Sequence, residues 1–125
     1  MKLPEKLRRF LIEMKKILLE DADLDKIAKL CKKYYPAVED SLDSFLWEYR
    51  EAQYYTTFDR YQKTPDKIIS LVYAISKGYL TVVEDPDEDR IVLTEKGRIY
   101  IVLRDINDFF LDDFFWGDSS EESKS

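Results

Sequence analysis

Around Gly78 the hydrophobic pattern of this 125-residue chain changes period. Before it, Ile68, Val72 and Ile75 recur at helical spacing, with Leu71 beside them. After it, Tyr79 to Val83 and Ile91 to Leu93 are runs of β-branched and aromatic residues, which suit strands. Between them Glu84 to Arg90, with Pro86 inside, make a polar turn. The punctuation agrees with this reading. Thr64 can cap a helix, and Pro65 fits its first position, where a missing N–H costs nothing. Gly78 suits the left-handed residue that ends it. Thr94 is placed to cap a last helix. Gly97 inside that helix costs about 1 kcal/mol relative to Ala, which implies close packing of the helix start on a neighbour. The hairpin is expected to pair Tyr79–Val83 with about Arg90–Leu93.

Three pieces of this stretch resemble the recognition helix and wing of winged-helix regulators, the MarR-like group in particular. They are the Thr64-Pro65 helix start, the Lys77-Gly78-Tyr79-Leu80 helix exit, and Asp85-Pro86-Asp87-Glu88-Asp89-Arg90 followed by Leu93-Thr94-Glu95-Lys96-Gly97-Arg98. The resemblance implies a mainly α fold: a winged helix-turn-helix with a two-stranded β-hairpin wing and flanking N- and C-terminal helices. It also implies that the terminal helices build a homodimer interface. The alternative is that they close the core of a monomer.

Upstream, residues 4–20 read as an amphipathic helix with Leu7, Phe10, Leu11, Met14, Ile17 and Leu18 on one stripe. Asp23 can cap the next helix, 24–34, whose inward residues are Leu24, Ile27, Ala28, Leu30, Cys31 and Tyr34. Tyr35 precedes Pro36, so that helix should stop there. A third helix is expected from Pro36 to about Tyr55, burying Val38, Leu42, Phe45, Leu46, Tyr49 and Ala52. Residues 56–63 show no clear period. In the last helix Ile99, Val102, Leu103, Ile106, Phe109 and Phe110 continue an apolar face to about Leu111. The expected organisation is one domain over 1–116 and a flexible acidic tail over 117–125.

Charge is uneven. The net value is −6, but residues 1–63 balance at +1, residues 64–104 at −1, and residues 105–125 at −6. One cysteine cannot form an internal disulfide, and no apolar run approaches a membrane span or a secretory signal, so a cytoplasmic setting is expected. Sparse amides beside abundant Lys and Glu resemble proteins from hot environments.

Catalytic chemistry is thin. Histidine is absent, removing an imidazole base and ligand. There is no nucleophile elbow and no Gly-rich phosphate loop. Cys31 lies on an inward helix face, where a thiol is packed and inert. Asp85, Asp87 and Asp89 alternate like the first ligands of a calcium loop, but Arg90 stands where the glycine belongs and Lys96 where the bidentate Glu belongs. No enzyme, metal or cofactor is expected.

For DNA reading, the pattern turns Asp66, Ser70, Tyr73 and Lys77 outward, with Lys67 beside them. That face lacks the Arg, Asn and Gln that read bases. The wing sets Glu84, Asp85, Asp87, Glu88 and Asp89 against one Arg90, which repels phosphate. The favoured function is therefore a non-enzymatic regulator or interaction module. It would meet a basic protein surface, such as that of a nucleic-acid-handling partner, through the acidic wing and through Phe114, Phe115 and Trp116. The alternative is a DNA-binding transcriptional regulator. It would use Lys26, Lys29, Lys32 and Lys33, with Lys67, Ser70, Tyr73, Lys77 and Arg90.

Overall fold

A computed structural model describes residues 3–50, 54–55, 64–84, 86 and 90–112. Among these, five helices precede or follow a small antiparallel sheet: α1 (Glu5–Glu20), α2 (Leu24–Tyr34), α3 (Leu42–Trp47), β1 (Tyr54–Tyr55), α4 (Pro65–Ser76), β2 (Leu80–Val83), β3 (Arg90–Leu93) and α5 (Glu95–Asp112). The sheet order is β1-β3-β2. β2 and β3 pair as the expected hairpin, from Leu80 opposite Leu93 to Val83 opposite Arg90. The third strand was not expected: Tyr54 and Tyr55 lie opposite Ile91 and Arg90 on the other edge of β3.

The helix boundaries have local causes. Asp23 caps α2 by accepting from the N–H groups of Asp25 and Lys26. Tyr35, held extended before Pro36, stops it. Pro65 occupies the first turn of α4, while the backbone carbonyl of Thr64, rather than a side-chain cap, receives the N–H of Lys67 at 2.9 Å. Gly78 ends α4 with φ +81°. The turn after α1 is closed by Ala22 at φ +50°, its N–H on the Ile17 carbonyl at 2.9 Å. Without a glycine, the sequence gives no sign of that left-handed residue.

The expected helix over 36–55 is corrected. Among its described residues only Leu42–Trp47 are α-helical, and residues 36–41 are turns. The Ser41 hydroxyl bonds back to the Ala37 carbonyl at 3.1 Å and meets the Tyr35 hydroxyl at 3.0 Å. Such side-chain bonds compete with a continuous helix. After Trp47 the bonds tighten to three-residue turns, Glu48 N–H to Phe45 and Tyr49 N–H to Leu46. Val38, Leu42, Phe45, Leu46 and Tyr49 are nevertheless all buried, because three- and four-residue spacing serves turns as well as helix. Ala52 and residues 56–63 lie outside the described residues.

The core draws on every layer: Leu7 and Phe10 from α1, Ile27, Ala28, Leu30 and Cys31 from α2, Ile68, Ile69, Tyr73 and Ala74 from α4, Leu80, Ile91 and Leu93 from the sheet, and Ile101 from α5. Leu24 is 54% exposed, contrary to expectation. Leu11, Met14 and Ile17 pack only at the core margin, and Leu18 is half exposed. On α5 the expected apolar face carries Ile99, Val102, Leu103 and Ile106, all largely exposed, while Ile101 on the other side is buried.

Gly97 packs as its position implies. A Cβ there would stand 2.3 Å from the Tyr79 carbonyl oxygen and 2.7 Å from Leu93 Cδ1. Gly97→Ala is therefore expected to lower stability by about 1–3 kcal/mol, despite the better helix propensity of Ala. Urea unfolding checks it, and an unchanged midpoint would contradict the packing. Ala22→Gly should move the midpoint the other way, by about 0.5–1 kcal/mol, because only the left-handed strain is relieved.

Candidate interaction surfaces

The lysines of α2 are tied to acids from three directions. Lys26 meets Asp21 at 2.6 Å, Lys32 meets Glu39 at 3.0 Å, and Lys33 meets Glu13 at 2.9 Å. Only sequence-near acids such as Asp25 were foreseeable as partners; Glu13 and Glu39 are delivered by α1 and by the turn after Pro36. Glu13 also accepts from the Tyr34 hydroxyl. That bond, then Lys33, holds its carboxyl below the ordinary value, and Lys32 chiefly does the same for Glu39. All these pairs are substantially exposed, where such contacts contribute little individually.

α4 differs most from its sequence reading. Tyr73 is fully buried and Ser70 is 3% exposed. Neither can reach a ligand in a groove. The Tyr73 hydroxyl has no partner at hydrogen-bonding distance. Burial is the main cause that raises its pKa; Glu39 raises it further and Lys32 lowers it. The Lys32 and Lys77 ammonium groups sit 5.9 and 5.8 Å from its ring centre. Lys67 is bound to Glu48 at 2.7 Å, and Asp66 to Lys6 at 2.7 Å. Between Lys67 and Lys77, Ile75 is 37% exposed, while Leu71, Val72 and Ser76 are half-buried, the first two packed against the core. The outward face of α4 therefore mixes hydrocarbon with the polar groups of Ser76, Lys67 and Lys77.

The structure thus brings Lys32, Tyr73 and Lys77 together and leaves Lys26 and Lys33 in separate ion pairs. Lys29 is exposed on α2. Sequence reasoning missed Lys96: its ammonium donates to the Lys77 carbonyl at 2.7 Å and lies 5.1 Å from the Tyr79 ring centre. No spacing rule links a lysine to a helix end nineteen residues away.

A cleft of about 630 Å³ lies between the starts of α1 and α4, the end of α2 and α3. Lys6, Tyr35, Phe45, Glu48, Asp66 and Ser70 are among its walls, and the two ion pairs of α4 cross its rim. Its hydroxyls have no neighbouring imidazole or thiolate. Cys31 is buried and its thiol is pushed up to about 12 by desolvation, so it stays protonated. Among the described residues no group of three or more His, Cys, Asp or Glu could hold a metal ion.

Of the acidic wing, Glu84 is described and exposed at the end of β2, and Arg90 is half-buried at the start of β3. Asp85, Asp87, Glu88 and Asp89, like Phe114, Phe115 and Trp116, lie outside the described residues. No helix among the described residues is long and apolar enough to cross a membrane. Compared with known proteins, the chain matches no family model, no curated protein and no solved structure.

Glu13 joins α1 to α2, so its titration should be visible in stability. Its folded pKa lies below the ordinary 4.5. The contribution is therefore present above about pH 4.5 and is lost as the pH falls through the folded value. Thermal melts of wild type and Glu13→Gln should differ most near neutrality and converge in acid. A gap that persists unchanged to the lowest pH would contradict the assignment.

Proposed function

We propose that this chain is a non-enzymatic interaction module of winged-helix type that acts through protein contacts. Three features support the winged-helix reading: a helix that ends at Gly78 and runs straight into a hairpin, a third short strand on the far edge of β3, and a helix that starts as β3 ends. The observation that carries the functional reading is the surface of α4. The helix that would enter a groove exposes Ile75, half-buries Leu71 and Val72, buries Ser70 and Tyr73, and holds Lys67 in an ion pair. Such a face carries no Arg, Asn or Gln for base edges. Apolar surface suits a protein partner.

The charge pattern gives that partner a sign. The acidic wing, Glu84 to Asp89, and the acidic C-terminal residues would be drawn to a basic surface. A nucleic-acid-handling protein presents such a surface, and occupying it would regulate that protein. Phe114, Phe115 and Trp116 add apolar anchors within the acidic segment.

Fluorescence-anisotropy titrations at physiological salt test the reading. The probes are a random-sequence DNA duplex and a labelled oligoarginine peptide. The chain is expected to bind the peptide and to show weak, sequence-indifferent binding to DNA. Neutralising Glu84, Asp85, Asp87, Glu88 and Asp89 to their amides should weaken the peptide complex. Nanomolar selectivity for one DNA sequence would overturn the proposal in favour of a DNA-binding regulator using Lys32, Lys77 and their neighbours.

A further inference from the structure

The cleft at the starts of α1 and α4 plays no part in the surfaces assigned above. Its volume of about 630 Å³ is that of a small-molecule site. Three observations give its wall a chemistry. The first is Ser70. Its side chain is withdrawn from the outer face of α4 and is only 3% exposed, yet it lines the cleft. Among the described residues its hydroxyl has no hydrogen-bond partner. Buried polar groups are normally satisfied, so this hydroxyl marks a place for a ligand atom.

The second observation is the start of α4. No side chain caps this twelve-residue helix, and its first turn borders the cleft. The positive end of the helix dipole lies there. Asp66, Lys67 and Ser70 are three or four residues apart, so they share one face. The third is charge. Lys6 meets Asp66 at 2.7 Å and Lys67 meets Glu48 at 2.7 Å. The wall therefore carries two cations and two anions, already paired. Phe45 and the Tyr35 ring supply apolar surface beside them, with the Lys6 ammonium 5.5 Å from the Tyr35 ring centre.

We propose that the cleft binds an α-amino acid with an apolar side chain through its zwitterionic head. The Glu48–Lys67 pair opens to receive it. The ligand carboxylate takes the place of Glu48 on Lys67 and accepts from the Ser70 hydroxyl, at the favourable end of the α4 dipole. The ligand ammonium takes the place of Lys67 on Glu48. Asp66 stays with Lys6 and does not compete. The side chain lies against Phe45 and the Tyr35 ring. Balance in the wall selects the zwitterion. A carboxylate alone would leave Glu48 without a cation, and an amine alone would leave Lys67 without an anion.

Calorimetric titration of the full chain at physiological salt tests this, with L-phenylalanine and L-leucine as probes. Both are expected to saturate one site, with dissociation constants on the order of 0.1–1 mM for ligands of this size. The analogues 3-phenylpropionate and 2-phenylethylamine keep the aromatic body but carry one charge each. They should bind at least about tenfold more weakly than L-phenylalanine. Ser70→Ala should weaken L-phenylalanine by about threefold to tenfold and leave the thermal melt unchanged, because it removes no bond of the folded chain. Glu48→Gln should weaken L-phenylalanine by about tenfold but not 3-phenylpropionate, which has no ammonium for Glu48 to hold. Neither amino acid saturating by about 10 mM would overturn the inference. So would analogues that bind as tightly as L-phenylalanine, or full binding retained in both variants. Neither variant touches the wing or the C-terminal acids. Oligoarginine binding should be the same in both as in wild type, so this inference and the proposed function fail by different measurements.

Discussion

The structure depends on one junction, where the end of α4 meets the start of α5. The Thr94 hydroxyl shares its proton between the carbonyls of Gly78, at 2.7 Å, and Tyr79, at 3.0 Å, while accepting the Gly97 N–H at 3.0 Å. The Thr94 N–H also reaches the Tyr79 carbonyl at 3.0 Å. Lys96 adds a cationic cap to the Lys77 carbonyl. This satisfies groups that a helix end leaves open and sets the hairpin between two anchored ends. Gly97 has no Cβ because the Tyr79 carbonyl already fills that space. With β2 and β3 pinned there, the edge of β3 is available to Tyr54 and Tyr55, and Leu80, Ile91 and Leu93 turn into the core.

That junction was readable because its parts are local in kind. Gly78 after a helical run, Thr94 before one and a glycine three residues later each carry a backbone meaning that needs no tertiary contact. The phase of α4 was not readable. Ile68, Ile69, Leu71, Val72 and Ile75 spread apolar groups round the helix, so periodicity admits more than one buried face. Packing chose the arc of Ile68, Ile69, Tyr73 and Ala74, because α2 meets α4 along it and α3 and β2 take the flanks. The choice moved Ser70 and Tyr73 inside and Ile75 out.

The candidate site shows the same division in electrostatics. A cluster of lysines on α2 is visible in any sequence window, but their effective charge is set by Asp21, Glu13 and Glu39, whose positions follow from the packing of α1 and of the turn after Pro36 on α2. Surface pairs of this kind stabilise weakly, yet they reduce the net field offered to a polyanion. The same holds at Lys67, held by Glu48. Counting basic residues overstates the basic surface wherever the acids come from elsewhere in the chain.

By itself the sequence determined the helix starts at Asp23 and Pro65, the left-handed exit at Gly78, the two strands of the hairpin, the close packing at Gly97, the buried thiol of Cys31 and the concentration of negative charge toward the C-terminus. Each follows from backbone stereochemistry, residue polarity or composition, which act over a few residues. Only the tertiary structure decided that residues 36–41 turn rather than continue a helix, that Tyr54 and Tyr55 join the sheet, and which apolar face of α5 is covered. Those outcomes depend on which neighbour offers a free strand edge or an apolar surface. That is a property of elements distant in the chain, and no local pattern in these residues contains it.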